Sequence, residues 1–190
     1  MKNIGILGSG IVGTTLANGF IKYGYKVMIG TRSPKKLDEW NERSGENGSV
    51  GSLQETASFG EIVILAVKGT AAMDALNSLD PGSIEGKTVI DATNPISDTP
   101  PENGVLNFFT EANSSLMEEL QREFPNANFV KAFSCIGSAH MINPEFGSEK
   151  PTMFIGGNSE SAKEEVKEIL DLFGFETEDM GPAESARAIE

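Results

Sequence analysis

A glycine-rich turn between a strand-like segment and a helical one, at the start of the chain, constrains the fold most. Residues 3–7 form an apolar strand pattern, Gly8-Ser9-Gly10-Ile11-Val12-Gly13 follows, and apolar residues at helical spacing come next. In this context, G-x-G-x-x-G is typical of dinucleotide-binding proteins. Gly8 would permit the tight turn, Gly10 the close approach of a diphosphate, and Gly13 close packing of helix on strand. The alternative is a glycine-rich turn that binds nothing.

Strand-like and helical segments alternate along the whole chain, without a linker, repeat or second compositional block. The continuous apolar run 62–66 is typical of a strand covered on both faces. Ser52 to Glu55 has the pattern of a capping box. The alternation predicts one doubly wound α/β domain over residues 1–190, a Rossmann fold with a mostly parallel sheet. We expect seven or eight strands, an antiparallel last strand being one option, and a short helix that starts near residue 183.

The residues at the end of the second strand bear on which dinucleotide is favoured. NAD sites commonly have an acid there, which accepts a hydrogen bond from the ribose 2′-OH. This chain has Thr31, Arg32 and Ser33 instead. An arginine fork suits phosphate oxygens, so the trio predicts NADP(H) rather than NAD(H). We also expect Ser33 to cap a single helix that runs to Arg43, with the phosphate at its positive end. The alternatives are a surface ion pair for Arg32 and a capping role alone for Ser33.

Composition narrows the partners. The formal net charge of −13 makes nucleic acid and anionic membranes poor partners. Arg32, Lys35 and Lys36 still concentrate positive charge locally, which suits an anionic small ligand. No segment has the run of about 18 apolar residues that a membrane helix needs. A single cysteine fits a reducing cytoplasm, and one His with one Cys predicts no metal site.

Three short loops after later strands are candidates for the reacting end of the ligand. They are residues 66–69, 92–96 and 133–137, and Lys68 is their only charged residue. Small and apolar walls suit a nicotinamide ring with a second flat ring stacked on it. Hydride transfer between two cofactors needs orientation and exclusion of water more than a strong acid or base. Lys68, Cys135 and His140 have ordinary structural alternatives, so the catalytic residues stay unassigned.

Several segments recur together, in this order, in one known family. They are GILGSGIVG, IGTRSP, LAVKG, DATNP, KAFSCIGS, PTMFIGGNSESAK and DMGPAESARAIE. The chain resembles the deazaflavin-dependent NADP oxidoreductase family over nearly all of its length. It is also similar to the cytoplasmic domain of the six-transmembrane ferric reductases. The resemblance implies hydride transfer between NADP(H) and a flavin-like ring.

The resemblance also implies a set of cofactor-binding residues, to which we add Lys68 as an anion contact. They are Gly8, Ser9, Gly10, Ile11, Val12 and Gly13 for the diphosphate, Thr31, Arg32, Ser33 and Lys36 for the 2′-phosphate, and Val67, Asn94, Pro95, Ala132 and Ile136 beside the nicotinamide. On the acceptor side, Ser134 and Gly137 stand where the archaeal deazaflavin enzymes tend to have His and Pro.

Three functional hypotheses follow. The first is a cytoplasmic NADP-dependent oxidoreductase whose small-molecule acceptor is a deazaflavin, a flavin or a metal chelate. Family members usually continue past the last segment, and that continuation shapes the acceptor site or a dimer contact, which leaves a homodimer open. The second is an NADP(H)-binding sensor or partner module without turnover. The third is a dehydrogenase of small hydroxy acids or imines, which usually carries a helical second domain of about 100 residues.

Overall fold

A computed structural model describes residues 1–147 and 149–190 of the chain. Short strands and helices alternate along it. The strands are β1 Ile4–Leu7, β2 Val27–Gly30, β3 Gly48–Gly51, β4 Ile62–Leu65, β5 Thr88–Asp91, β6 Asn128–Lys131, β7 Thr152–Gly157 and β8 Glu176–Asp179. The helices are α1 Ile11–Lys22, α2 Asp38–Arg43, α3 Leu53–Phe59, α4 Ala72–Asn77, α5 Leu116–Glu123 and α6 Glu160–Leu172.

The strands form one mostly parallel sheet in the order β3-β2-β1-β4-β5-β6-β7-β8. Strands β1 to β6 are parallel, β7 runs antiparallel to β6, and β8 runs parallel to β7. The chain moves outward from β1 to β3 and then returns to the other side of β1 with β4. This reversal opens a crevice at the carboxyl ends of β1 and β4, where doubly wound sheets bind ligands. The prediction of a doubly wound Rossmann fold is confirmed.

Side chains from the central strands alternate between two apolar clusters, one on each face of the sheet. In β4, Ile62 and Ile64 join one cluster, whereas Val63 and Leu65 join the other. All four are buried, as expected for a strand with helices on both faces. The first cluster takes the inner face of α1, and the second takes that of α5. The strand ends that carry the site are therefore held by a continuous core.

Local signals set most of the helix ends. The predicted capping box is present: the Ser52 hydroxyl accepts from the Glu55 backbone N–H, and the Glu55 carboxylate accepts from the Ser52 N–H. Gly24 follows α1 with a φ of +84°, and Gly174 follows α6 with a φ of +91°. Glycine adopts this conformation without the steric cost that a Cβ brings, so both residues end their helices as expected.

Two predicted helices differ from those observed. The segment after β2 is a 3₁₀ turn, Pro34–Leu37, followed by the six-residue α2, and Ser33 makes no side-chain capping bond. The physical reason is the Ser33 backbone: its ψ of 74° differs from the extended 167° of Ser52, and its N–H donates to the Thr31 hydroxyl. The last segment is also a 3₁₀ helix, Ala183–Ala188. In the described part of the chain, no helix combines the length and apolarity that a membrane crossing requires.

Candidate functional site

A cleft of about 430 Å³ lies at the carboxyl ends of β1, β2 and β4. It coincides with the crevice that the strand order creates. Nine of the sixteen predicted site residues line it together: Gly8, Ser9, Gly10, Thr31, Arg32, Ser33, Lys36, Val67 and Lys68. The parallel strands thus bring residues that lie far apart in the sequence to one cleft.

The glycine turn is sterically determined at two of its three glycines. Gly8 has a φ of +126°, and a Cβ placed on it would lie 2.3 Å from the Ala66 carbonyl oxygen. A Cβ on Gly13 would lie 2.1 Å from the Gly8 carbonyl oxygen. Gly8 therefore permits the turn and its contact with the strand β4 end, and Gly13 lets α1 pack against the turn. These are the structural roles that the sequence pattern predicts.

Gly10 differs from both, because a Cβ placed on it would meet no atom of the described residues within 4 Å. Its backbone is extended, with φ −77° and ψ −178°, and no side chain caps α1. The first amides of a helix have no partner within the helix, so those of Ile11, Val12 and Gly13 stay available to a ligand. No acid lies in the first turn of α1. Open space beside free amides is the arrangement that binds a phosphate.

A pair of hydroxyls joins the glycine turn to the end of β2. Ser9 Oγ and Thr31 Oγ1 lie 2.9 Å apart, and the Ser33 backbone N–H donates to Thr31 Oγ1 at 3.1 Å. Thr31 is buried. Its hydroxyl therefore orients the turn residues on both sides of it and is less open to a ligand than the exposed Ser33.

Positive charge is concentrated on the β2 side of the cleft. Arg32 and Lys36 line it and are exposed, and neither forms an ion pair with any described residue. Lys35 is exposed as well but does not line the cleft; it lines an adjoining groove of about 1110 Å³ between α1 and residues 34–43, which shares Ser9, Gly10 and Lys36 with the cleft. On the far wall, Asp74 of α4 is the one acid among the residues that line the cleft. An anionic group beside Arg32 and Lys36 would meet unpaired donors.

The loops after β4, β5 and β6 pack against one another. The Asn94 side-chain N–H donates to the Ser134 carbonyl at 2.9 Å, and a Cβ on Gly69 would lie 1.9 Å from the Asn94 carbonyl oxygen. The Asn94 side-chain oxygen is buried and has no hydrogen-bond partner in the described structure. Lys68, predicted as an anion contact, forms an ion pair with Asp98. The three loops are therefore fixed relative to one another at the same edge of the sheet.

The residues predicted beside the nicotinamide differ in how accessible they are. Val67 and Ile136 are half-buried and pack on the edges of the two apolar clusters. Pro95 is buried, and Ala132 is completely buried in the core. Ala132 thus supports the surface from beneath in this structure, whereas Val67 and Ile136 form part of it.

Phe133 has an unusual backbone for a bulky residue, with a φ of +64°. Its ring is buried and contacts the rings of Phe173 and Phe175, with centroids 6.3 Å away in each case. This packing offsets the strain of a conformation that costs on the order of 1–3 kcal/mol. The result is a sharp change of direction after β6, which turns Ser134 towards Asn94.

Lys131, which none of the predicted site motifs includes, is completely buried at the end of β6 beside Asp91 of β5. A signal was present: the lysine lies in the otherwise apolar run Phe129–Phe133. A lysine inside a buried strand requires a carboxylate partner, and Asp91 ends the neighbouring strand. The carboxylate of Glu190 also pairs with Lys131, at 2.9 Å. Glu190 lies too far along the sequence for a local pattern to indicate this second partner.

Comparisons with known proteins agree with this geometry. Residues 3–95 match the family described as NADP oxidoreductase, coenzyme F420-dependent. The crystal structure of a putative F420-dependent NADP reductase from Arthrobacter sp. FB24 superposes with a TM-score of 0.90 at 28% identity, covering 99% of this chain and 88% of that one. This chain is therefore similar to F420-dependent NADP oxidoreductases, in sequence over residues 3–95 and in fold over nearly its whole length.

Two mammalian proteins are also similar to this chain in sequence. Metalloreductase STEAP3 of Rattus norvegicus is 30% identical and metalloreductase STEAP2 of Homo sapiens is 27% identical, each over 98% of this chain. The alignments cover 35% of either relative, so the chain spans about a third of the length of these proteins. The resemblance inferred from the ordered motifs is confirmed.

Proposed function

We propose that this chain binds NADP(H) and transfers hydride between NADPH and a deazaflavin, a flavin or a similar flat acceptor. The observation that carries the proposal is the shared cleft: the glycine turn Gly8 to Gly10, which leads directly into α1, lines it together with the unpaired Arg32 and Lys36. The relatives support it, since the Arthrobacter protein is described as an F420-dependent NADP reductase and the mammalian proteins as metalloreductases.

The cleft fits the diphosphate of a dinucleotide. Gly10 leaves room for the diphosphate to approach closely. The backbone amides of Ile11, Val12 and Gly13, at the start of α1, have no hydrogen-bond partner within the helix. The positive end of the helix dipole adds attraction for an anion, worth roughly 0.3–1 kcal/mol at an exposed site. Ser9 stands in the same turn with its hydroxyl held by Thr31. The turn thus offers donors without an opposing acid in the first helical turn.

The residues after β2 fit the extra phosphate of NADP. Because α2 is preceded by a 3₁₀ turn and Ser33 is not its cap, we assign this phosphate to side chains rather than to the α2 dipole. The Arg32 guanidinium presents a planar fork of donors, and Lys36 lies on the same wall. Residues 31–33 contain no acid. No carboxylate there would repel the 2′-phosphate of NADP or accept a hydrogen bond from the 2′-OH of NAD.

The loops after β4, β5 and β6 would hold the reacting end. When bound, the nicotinamide supplies the hydride. The chain's own part is to orient and to exclude water: Val67 and Ile136 provide apolar surface, and Pro95 stiffens the loop behind them. The buried, unpartnered Asn94 oxygen fits a ligand that brings an N–H donor, as the nicotinamide carboxamide does. Transfer between two rings calls on no protein acid or base.

The first experiment measures NADPH and NADH affinity by fluorescence titration for the wild type, Arg32→Ala and Lys35→Ala. A charge-assisted hydrogen bond contributes about 1.5–3 kcal/mol, so we expect Arg32→Ala to weaken NADPH binding by roughly tenfold to a hundredfold. NADH affinity should barely change. Lys35→Ala is the matched control, because it removes one exposed positive charge outside the cleft. Equal losses for NADPH and NADH would count against the assignment.

The second experiment follows oxidation of NADPH in the presence of coenzyme F420 or FMN. An oxidoreductase oxidises NADPH only when a suitable acceptor is added, and the faster acceptor identifies the substrate class. An NADP(H)-binding sensor would instead bind NADPH with the same Arg32 dependence and oxidise none of it. That result would retain the cofactor assignment and refute the activity.

A further inference from the structure

A buried polar network lies directly beneath the proposed acceptor-side loops. Its centre is Lys131, whose side chain is completely buried at the carboxyl end of β6. Three oxygens surround its Nζ: Asp91 Oδ2 at 3.0 Å, the Thr93 carbonyl at 2.6 Å and Glu190 Oε1 at 2.9 Å. An ammonium group has three N–H donors, so each one has a partner.

Each carboxylate in the network is fixed by further donors. Asp91 Oδ1 accepts from the Thr93 backbone N–H at 2.9 Å and from its hydroxyl at 2.7 Å. Glu190 accepts from the backbone N–H groups of Leu116 at 2.8 Å and Met117 at 3.0 Å, the first amides of α5. The network holds one positive and two negative charges. The positive end of α5 compensates the second carboxylate.

The network touches the site loops at two points. Lys131 holds the Thr93 carbonyl, which directly precedes Asn94. On the other side, the Ser134 hydroxyl donates to the Ile189 carbonyl at 2.8 Å, and the Ser134 carbonyl accepts from Asn94. The 183–190 segment is therefore connected with both loops through specific hydrogen bonds and not through apolar packing alone.

A buried ion pair is in general weak evidence for stability, because desolvation offsets most of the attraction. A fully satisfied network does, however, specify one arrangement of the backbone groups it holds. Resting on the function proposed above, we propose that Lys131 and Glu190 are positioning residues that fix the loops after β5 and β6 for hydride transfer. They touch neither the glycine turn nor the cationic wall, so their effect should be confined to the loops proposed to hold the nicotinamide and the acceptor.

The test compares Lys131→Met and Glu190→Gln with Lys163→Met. Lys163 is a matched control, because it is also buried and pairs with two carboxylates, Glu160 and Asp179, but lies on α6 away from the site. Glu190→Gln is the milder variant: it removes the charge and keeps an oxygen for the α5 amides. If Lys131→Met does not fold, Glu190→Gln alone tests the positioning role.

Three quantities are measured for each variant: amide hydrogen exchange of residues 92–95 and 133–137 in the free protein, NADPH affinity, and NADPH oxidation by F420 or FMN. We expect faster exchange in both loops and a loss of turnover of about tenfold to a hundredfold, the effect of a small misplacement of reacting groups. NADPH affinity should fall much less than turnover, because the proposed contacts with the diphosphate and the 2′-phosphate stay intact. Lys163→Met should change neither loop exchange nor turnover.

Two results would overturn the proposal. The first is loop exchange unchanged in Glu190→Gln relative to the wild type. The second is a loss of turnover in Lys163→Met equal to that in Glu190→Gln, which would mark a general effect of stability. Hydrogen exchange is measured without cofactor. A wild type that failed to bind NADPH would refute the proposed function. The exchange measurement would still show whether the network fixes the loops.

Discussion

The contrast between Gly10 and Gly13 gives the sharpest prediction for the glycine turn. In Gly13→Ala, the new Cβ would lie 2.1 Å from the Gly8 carbonyl oxygen and 3.1 Å from its carbon. Both atoms belong to the backbone, so relief requires α1 to move away from β1. Alanine's better helix propensity returns about 1 kcal/mol, but overpacking costs on the order of 1–3 kcal/mol or more. We expect a net loss of stability.

Gly10→Ala should behave in the opposite way. Its Cβ meets no described atom within 4 Å, and its φ of −77° and ψ of −178° are ordinary for alanine. The alanine lowers the conformational entropy of the unfolded chain, which stabilises the folded protein by about 0.4–1 kcal/mol. Alanine is also a poorer N-cap residue than glycine, which offsets a similar amount. The methyl group would, however, occupy the space where the diphosphate approaches. Loss of two charge-assisted hydrogen bonds, at about 1.5–3 kcal/mol each, weakens binding by roughly 10²–10⁴-fold.

The assay pairs thermal unfolding with NADPH titration for both variants. In a chain of this size, 1 kcal/mol corresponds to about 2–4 °C in Tm, so Gly10→Ala should unfold within a few degrees of the wild type. Gly13→Ala should unfold at a clearly lower temperature. If Gly10→Ala bound NADPH like the wild type, the diphosphate would not approach at Gly10. If it lost as much stability as Gly13→Ala, the space at Gly10 would not be open.

Three further predictions test other parts of the molecule. Added salt should weaken NADPH binding more than NADH binding, because salt screens the attraction between the 2′-phosphate and the exposed Arg32 and Lys36; equal slopes for the two cofactors would argue against this. The hydrogen bond from the Arg187 guanidinium, at 2.8 Å, holds the pKa of Glu118 below its ordinary value of 4.5. The stability that this pair provides is therefore present above pH 4.5 and is lost as the pH falls through the lowered pKa, so wild type and Arg187→Gln should converge in acid denaturation. Ser52→Ala should lower stability by about 1 kcal/mol in urea unfolding, since it removes the α3 cap; an unchanged midpoint would contradict that role.

The sequence determined most of the fold because its signals are local. Apolar runs such as Ile62–Leu65, the Ser52 cap and the glycines after helices each depend on a few neighbouring residues. The conformation of the glycine turn was predictable for the same reason, since the constraints on Gly8 and Gly13 come from the turn itself and the adjoining strand end. These are short-range steric effects, which a pattern of residues records directly.

The errors lie where the backbone had more than one local option. Ser33 followed by proline is a common helix start, but the Thr31 hydroxyl takes the Ser33 N–H and the chain enters a 3₁₀ turn. The Ser33 backbone is held by Thr31 with a ψ of 74°, and the Ser33 hydroxyl makes no capping bond, which the local pattern did not indicate. The burial of Ala132 was likewise set by tertiary packing and not by the loop sequence around it.

The proposed acceptor half of the site contains long-range contacts that link β5, β6, α5 and the 183–190 segment. In the described structure, no hydrogen bond or ion pair of this network reaches Arg32 or the glycine turn. This network therefore does not link the loops after β5 and β6 to the cofactor-binding residues through polar contacts. The names of the relatives specify different redox partners, coenzyme F420 and a metal. What selects the acceptor should consequently be sought around Asn94 and Ser134, where the network acts, and not in the turn that holds the diphosphate.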